Sequence, residues 1–111
     1  MVEIAIIKDR SGRNCGFRCS GHAEYSEKGF DIVCSGISAL TNTTVLALEQ
    51  LVKLSLQIEA DPDTAFLECR WSNAEAVQQT QADLLLKTMY LGLREIQKQY
   101  PKNLSLRELE V

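Results

Sequence analysis

The stretch that decides the fold runs from Gly21-His22-Ala23, through a connector ending at Asp31, to Ile32-Val33-Cys34-Ser35-Gly36-Ile37-Ser38. It contains the only histidine of the sequence and a cysteine placed where a helix is expected to begin. Asp31 is a candidate N-cap, because its carboxylate accepts hydrogen bonds from the unpaired amides of a first helical turn. Side chains recurring at helical spacing then predict a helix over about 32–53 with one buried stripe. The stripe consists of Val33, Ile37, Leu40, Thr44, Leu48 and Leu51.

The position of Cys34 predicts chemistry for its thiol. With Asp31 as the cap, Cys34 is the third helical residue, where free amides and the helix dipole favour a thiolate over a thiol. Thiol-based nucleophilic catalysis requires such a thiolate and a base, and His22 is available upstream as the base. Each residue also has a structural interpretation, with His22 as a surface or capping residue and Cys34 as a small buried hydrophobic side chain. The pattern alone leaves both interpretations open.

Composition narrows the class of protein. A length of 111 residues with 45% hydrophobic residues predicts one compact domain, residues 1–111. The formal net charge of -3 gives no basic field for a phosphate backbone, so direct nucleic-acid binding is not expected. Apolar runs such as Ile4 to Ile7 are too short to cross a membrane, and Met1 leads into a strand-like pattern instead of a signal peptide. Four cysteines without an export signal predict reduced thiols in a cytoplasmic protein, with no cofactor.

The remaining pattern predicts an α+β fold in the order ββαββαβ. β-Branched and alternating stretches predict strands, and turn residues such as Gly12 and Pro62 separate them. The predicted strands are 2–8, 14–20, 54–59, 65–71 and 104–109, and the second helix covers about 74–99, with Ser72 or Asn73 as its cap and Pro101 at its end. This order predicts two layers, a mixed or antiparallel sheet with two long helices packed on one face.

Alternation and helical spacing assign side chains to faces. The residues expected to face the core are Cys15, Phe17 and Cys19 on the second strand, Leu67, Cys69 and Trp71 on the fourth, and Ala82, Leu85, Leu86, Met89, Leu93, Ile96 and Tyr100 on the second helix. A second apolar row on that helix, formed by Val77, Leu84 and Leu91, lies away from the buried stripe. One stripe suffices for a core, so the extra row predicts a surface for a partner.

A zinc site is an alternative use of three cysteines and the histidine. Cys15, Cys19, His22 and Cys34 are a legitimate structural zinc set by residue type. Four residues along a strand span roughly 13 Å, which is too far for two sulfurs that each bind one zinc ion at about 2.3 Å. We therefore predict no metal site unless the strand over 14–20 is broken.

Residues 21–38 resemble the ribosomal-processing cysteine protease family of low-GC Gram-positive bacteria. The resemblance lies in Gly21-His22-Ala23, the glycine-containing loop, and Gly29-Phe30-Asp31-Ile32-Val33-Cys34, followed by Ser38. The family commonly has small alanines after the cysteine, where this chain has Ser35 and Gly36. Both replacements are small, so no catalytic group is lost. The order of elements also fits the family over nearly the whole chain.

The resemblance implies a homodimeric α/β cysteine protease. Its expected substrate is a short N-terminal extension of large-subunit ribosomal protein twenty-seven, cut after aromatic residues. Cys34 is then the nucleophile and His22 the general base and acid, with the amides of Cys34 and Ser35 holding the oxyanion.

Further residues are candidates for supporting roles. Asp31 is either the helix cap or a third catalytic member that orients the imidazole, and Ser38 lies one turn after Cys34. The loop 23–31 is expected to close over the peptide, with Tyr25, Gly29 and Phe30 as candidate substrate contacts. Two rival functions remain from the residues alone: a non-catalytic dimeric module for ribosome assembly or protein binding, and a small zinc protein.

Overall fold

A computed structural model describes the backbone of residues 1–21 and 30–111, and the side chains of 1–21 and 32–111. The described elements follow the predicted order ββαββαβ. They are β1 (Val2–Lys8), β2 (Asn14–Gly21), α1 (Phe30–Gln50), β3 (Gln57–Asp61), β4 (Phe66–Arg70), α2 (Ala76–Gln99) and β5 (Leu104–Glu110). The predicted α+β class is confirmed.

The five described strands form one mixed sheet in the order β3-β4-β2-β1-β5. β1 pairs antiparallel with β2 and parallel with β5, and β4 lies between β2 and β3 in antiparallel pairs. In the first turn Gly12 takes the predicted left-handed conformation, with φ +83°. A bulge at Cys15 shifts the register between β1 and β2, because Ile7 pairs with Gly16 and Lys8 with Asn14.

One core joins a single face of the sheet to both helices. Ile4 and Phe17 from the sheet, Val33 and Leu48 from α1, and Leu93 from α2 are all buried in it. The predicted faces of the second and fourth strands are confirmed for Phe17, Cys19, Leu67, Cys69 and Trp71, which are buried in this core or packed against it. Cys15 is half-buried and lies outside it. The stripe predicted on α2 is likewise confirmed.

Small residues let the two helices approach each other. A Cβ added to Gly36 of α1 would lie 3.0 Å from the Cδ1 atom of Ile96, and one added to Gly92 of α2 would lie 2.9 Å from Cδ1 of Leu40. Each glycine therefore receives a side chain from the opposite helix. The buried hydroxyl of Thr41 donates to the carbonyl of Ile37 at 2.9 Å, so it adds no unpaired polar group to this core.

Several predicted element boundaries are wrong. α1 ends at Gln50, where the predicted helix ran to about residue 53, and Leu51 is 76% exposed instead of buried. The amides of Leu51 and Val52 donate to the carbonyl of Ala47, and Lys53 takes φ 66°, so the chain turns away before the stripe can continue.

The strand predicted over 54–59 begins only at Gln57. Leu54 is nevertheless 6% exposed, because it packs into the core from the turn after α1. The cap of α2 is Glu75 instead of Ser72 or Asn73. Its amide donates to Oε1 of Gln78 at 2.9 Å, which closes a capping box.

Residues Ile32–Gln50 of α1 are long and apolar enough to cross a membrane by length and composition. A core helix of a globular protein meets the same criteria, and Val33, Ile37 and Leu48 of this segment are buried against the sheet and α2. Packing in the core explains why this face of α1 is apolar. The expectation that no segment spans a membrane stays a prediction.

Candidate active site

Cys34 lies in the second turn of α1, half-buried and packed against the core. Because the helix begins at Phe30, Cys34 is its fifth residue instead of the third, and Asp31 is its second residue instead of the cap. The helical pattern pairs the amide of residue i with the carbonyl of residue i−4, so the amides of Cys34 and Ser35 are used within the helix. The expectation that these two amides hold an oxyanion is therefore wrong. The unpaired amides of this helix belong to its first turn.

The side chain of Cys34 opens onto a groove of about 570 Å³. One wall is α1, with Ile37 and Ser38, and the floor includes Val2, Cys19 and Gly21 from the sheet. The far wall is the turn between β3 and β4. The lining is mainly apolar, and it is open along one side. Such a groove fits an extended chain with apolar side chains better than a compact polar ligand.

The turn between β3 and β4 was not singled out as part of the site from the sequence. The turn and the strand ends beside it contribute Asp61, Pro62, Ala65, Phe66 and Leu67 to the groove. The sequence shows this segment only as a turn, because Asp-Pro-Asp-Thr is ordinary turn chemistry. Its place opposite Cys34 follows from strand order, since β4 pairs with β2, the strand that comes before α1 in the chain. The two adjacent apolar residues after the turn, Phe66 and Leu67, are the one available signal in the sequence.

Of the predicted supporting residues whose side chains the structure describes, Ser38 lines the groove and Ser35 does not. Ser38 lies in the groove one turn after Cys34, and its side chain is exposed. Ser35 is exposed and is not part of the groove lining. His22, Tyr25 and Gly29 lie outside the described residues, as do the side chains of Phe30 and Asp31. Gly21, which lines the groove, is the residue directly before His22.

The thiols of the sheet differ from an activated cysteine. Burial raises the pKa of Cys19 to about 11, and the neighbouring Cys34 adds to the rise. Burial likewise raises the pKa of Cys69 to about 11, with a smaller contribution from Glu49. Both therefore stay protonated near neutral pH. Neither is suited to be the nucleophile, because the thiolate is the reactive form.

The zinc interpretation depends on whether the second strand is broken. β2 is continuous from Asn14 to Gly21, with a bulge at Cys15. Within residues 1–21 and 30–111, no group of three histidine, cysteine, aspartate or glutamate side chains could hold a metal ion. His22, the fourth member of the proposed set, lies outside the described residues.

A thiol early in a long helix, beside an open apolar groove, is the arrangement that a thiol hydrolase with an extended substrate requires. The chain matches the family Cysteine protease Prp over residues 1–105, and it therefore belongs to that family. The predicted family and the predicted enzyme class, a cysteine protease, are both confirmed.

Relatives agree with this assignment over nearly the full chain. The ribosomal processing cysteine protease Prp of Staphylococcus aureus strain Mu50 is 29% identical over 106 residues, covering 96% of this chain and 97% of the relative. The protein of that name from Bacillus subtilis strain 168 is 25% identical over 105 residues, covering 94% of each chain.

Solved structures show the same fold. A crystal structure of the essential ribosomal processing protease Prp from S. aureus in complex with a substrate peptide superposes with a TM-score of 0.84 at 28% identity, covering 97% of this chain and 99% of that chain. The same protease with a covalently linked product peptide superposes with a TM-score of 0.79 at 29% identity, with the same coverage. These relatives act on a peptide, which fits the open groove beside Cys34.

Proposed function

We propose that this protease removes a short N-terminal extension from large-subunit ribosomal protein twenty-seven, with Cys34 as the nucleophile and His22 as the general base and acid. The observation that carries the proposal is the position of Cys34, a half-buried thiol in the second turn of α1 on the wall of an open apolar groove. The family and its ribosomal processing relatives support the substrate class.

The helix supplies the electrostatics. Cα–Cβ bonds in a helix tilt toward its N-terminus, so the sulfur of Cys34 projects back over the first turn. The amides of that turn lack acceptors within the helix, and the positive end of the helix dipole lies there. The first turn thus favours the thiolate of Cys34. The same amides are the oxyanion donors that we propose in place of those of Cys34 and Ser35.

The end of β2 leads directly to the proposed base, His22. β2 ends at Gly21, which lines the groove together with Cys34, and His22 is the next residue of the chain. The backbone therefore enters the loop from the groove wall itself. We propose that Asp31 orients the imidazole and that Ser38, on the same wall, contacts the bound peptide. The last two residues of the predicted loop 23–31 belong to α1, which begins at Phe30. We propose that Tyr25 and Gly29, together with Phe30 at the start of the helix, complete the cover over the substrate.

The reaction has two steps on these groups. The Cys34 thiolate attacks the carbonyl carbon of the scissile bond, and the imidazolium of His22 gives its proton to the leaving amine. The product is a thioester on Cys34 and a free mature N-terminus. Water, deprotonated by His22, then attacks the thioester and releases the extension. The apolar groove, with Phe66 and Leu67 on its far wall, suits the aromatic side chains expected before the cut.

A cleavage assay with the purified chain tests this function. The substrate is a peptide that spans the N-terminal extension of the ribosomal protein, and products are identified by mass spectrometry. We expect Cys34→Ala and His22→Ala each to lower cleavage at least about 1000-fold, since both remove a group that acts in the chemical step. Cys15→Ala is the matched control, because Cys15 lies outside the groove and should keep its rate.

Melting curves of all three variants separate loss of chemistry from loss of fold. Unchanged cleavage by Cys34→Ala refutes the assignment of the nucleophile. Intact folding without cleavage by the unmodified chain favours the non-catalytic binding module instead.

We propose further that the chain acts in the cytoplasm as a homodimer. Two described helix surfaces support an interface. On α2, Val77, Leu84 and Leu91 are 68%, 67% and 61% exposed. On α1, no charged residue occurs between Asp31 and Glu49, and Leu46 is 52% exposed. Sedimentation of Leu84→Lys and Leu46→Lys identifies which surface is used, because the charge abolishes the dimer only at the buried one. A chain that sediments as a monomer without either substitution rules the dimer out.

A further inference from the structure

Two of the four cysteines line the active-site groove. Cys19 reaches it from β2 and Cys34 from α1, and both are packed against the same core cluster. The pKa of Cys19, raised mainly by burial, is raised further by the charge of Cys34. Both residues line the same groove, so their thiols meet one shared space.

The other two cysteines are separated from this pair. Cys15 lines a different cavity, next to Trp71 and Gln79. Cys69 is fully buried under the sheet face, with 0% of its surface exposed. All four cysteines lie in the described part of the chain, and none of them forms a disulfide. Cys19 is therefore the thiol that shares a solvent-accessible space with Cys34.

We propose that Cys19 is a resolving cysteine for Cys34, so that a peroxide converts the pair into a Cys19–Cys34 disulfide and switches the protease off. The inference rests on the proposed role of Cys34 as the nucleophile. A thiolate activated for attack on a carbonyl is also the form that peroxides oxidise. The disulfide ties the nucleophile to the groove floor and closes the groove to peptide.

The chemistry takes place in two balanced steps. The Cys34 thiolate attacks one oxygen of the peroxide, the S–O bond forms as the O–O bond breaks, and hydroxide or alkoxide leaves. The sulfur is oxidised by two electrons to a sulfenic acid, and the peroxide is reduced. The sulfur of Cys19 then attacks Cys34, the S–S bond forms, and the S–O bond breaks. The departing hydroxide takes the proton of Cys19 and leaves as water.

The raised pKa of Cys19 directs the first oxidation to Cys34. A protonated, partly buried thiol is a poor target for the peroxide itself, so the first oxidation occurs at Cys34. The disulfide also protects Cys34, because a sulfenic acid that finds no thiol is oxidised further to sulfinic acid, which thiol reductants do not reverse. A dithiol reductant restores both thiols. The switch is therefore reversible.

Peptide mapping tests the disulfide directly. Trypsin places each cysteine on its own peptide, with Cys15 on 14–18, Cys19 on 19–28, Cys34 on 29–53 and Cys69 on 54–70. The chain is treated with hydrogen peroxide, quenched with iodoacetamide and digested without reductant. We expect a linked pair of peptides 19–28 and 29–53, from protein that runs as a monomer on a non-reducing denaturing gel.

Two substitutions sharpen the test. Cys15→Ser is the matched control and should give the same linked pair. Cys19→Ser should give none, and its peptide 29–53 should carry sulfinic acid instead. Cys19→Ala, with the same expected result, replaces it if the serine at this half-buried position unfolds the chain.

The activity readout compares each protein with its own reduced rate. After peroxide and then dithiothreitol, we expect the unmodified chain to recover nearly all of its cleavage rate and Cys19→Ser to recover less than about a tenth, because sulfinic acid is not reduced. Sulfinic acid on 29–53 of the unmodified chain without the linked pair overturns the inference. So does a link only between two molecules. If the reduced chain cleaves nothing, the proposed function fails, while the peptide map still decides the disulfide.

Discussion

Gly16 is the position at which the smallest possible substitution should have the largest effect. A Cβ added there would lie 2.2 Å from the carbonyl oxygen of Cys69 and 3.0 Å from the Cα atom of Arg70. A carbon and a carbonyl oxygen in contact are about 3.3 Å apart, so β4 would have to move away by about 1 Å. Both obstructing atoms belong to the backbone, and neither can rotate aside.

The loss of stability follows from the interactions between β2 and β4 that this movement breaks. β2 and β4 are joined by the pairs from Gly16–Arg70 to Cys19–Leu67, and a shift of about 1 Å lengthens the two nearest hydrogen bonds beyond bonding distance. Each contributes about 1 kcal/mol, and overpacking of the core beneath adds about 1–3 kcal/mol. We expect Gly16→Ala to lower the free energy of unfolding by about 4 kcal/mol. The melting temperature should then fall by about 15 °C, at about 4 °C for each kcal/mol.

Urea unfolding followed by the fluorescence of Trp71 measures this loss. Trp71 is the only tryptophan, is 5% exposed, and its amide donates to the carbonyl of Cys15 at 2.9 Å, so it reports on this part of the sheet. The midpoint should fall while the slope stays unchanged. Gly36→Ala is the control, because its Cβ meets only the end of the Ile96 side chain at 3.0 Å and the helix gains about 1 kcal/mol in propensity. Equal midpoints for the two variants would refute the reasoning.

Three further predictions concern single sites. Glu68→Gln should cost about 1 kcal/mol in urea unfolding, because it weakens the 2.7 Å bond from Nε of Arg18; an Arg18→Met, Glu68→Gln double variant that loses the sum of both single effects would exclude coupling. Leu93→Ala should lower the free energy of unfolding by about 3 kcal/mol, because Leu93 is 0% exposed. Leu91 is 61% exposed, so Leu91→Ala should lower it by less than about 0.5 kcal/mol. Similar losses for the two variants would contradict the faces assigned to α2. The hydroxyl of Ser11 and the backbone amide of Arg13 lower the pKa of Asp9. The Asp9 carboxylate therefore stabilises the fold at pH values above its ordinary pKa, and this contribution is lost as the pH falls through the lowered pKa. An NMR titration of Asp9 with a midpoint at or above the ordinary value would contradict this prediction.

Local pattern was sufficient for the elements and their faces. β1 has the predicted bounds, and the row of Val77, Leu84 and Leu91 is exposed as predicted. These features depend on spacing along the chain, which the period of a helix or strand converts directly into a face. Errors occurred at element ends, where competition between capping interactions decides the last residue. Lys53 and Glu75 are examples, since neither stands out by residue type.

The residues of the candidate site likewise include some that the sequence identified and some that only the tertiary structure placed there. The sequence alone singled out Cys34 and His22, because a thiol early in a helix and a lone histidine upstream are features of local order, and the surrounding motif led to the family. It could not bring Phe66 to the groove, since that depends on β4 pairing with β2 across about 50 residues of chain. Nor could it place Cys19 and Cys34 in the same groove. Contacts between distant segments are fixed by strand order and helix packing, and the energy that selects them belongs to the assembled core and not to any one stretch of residues.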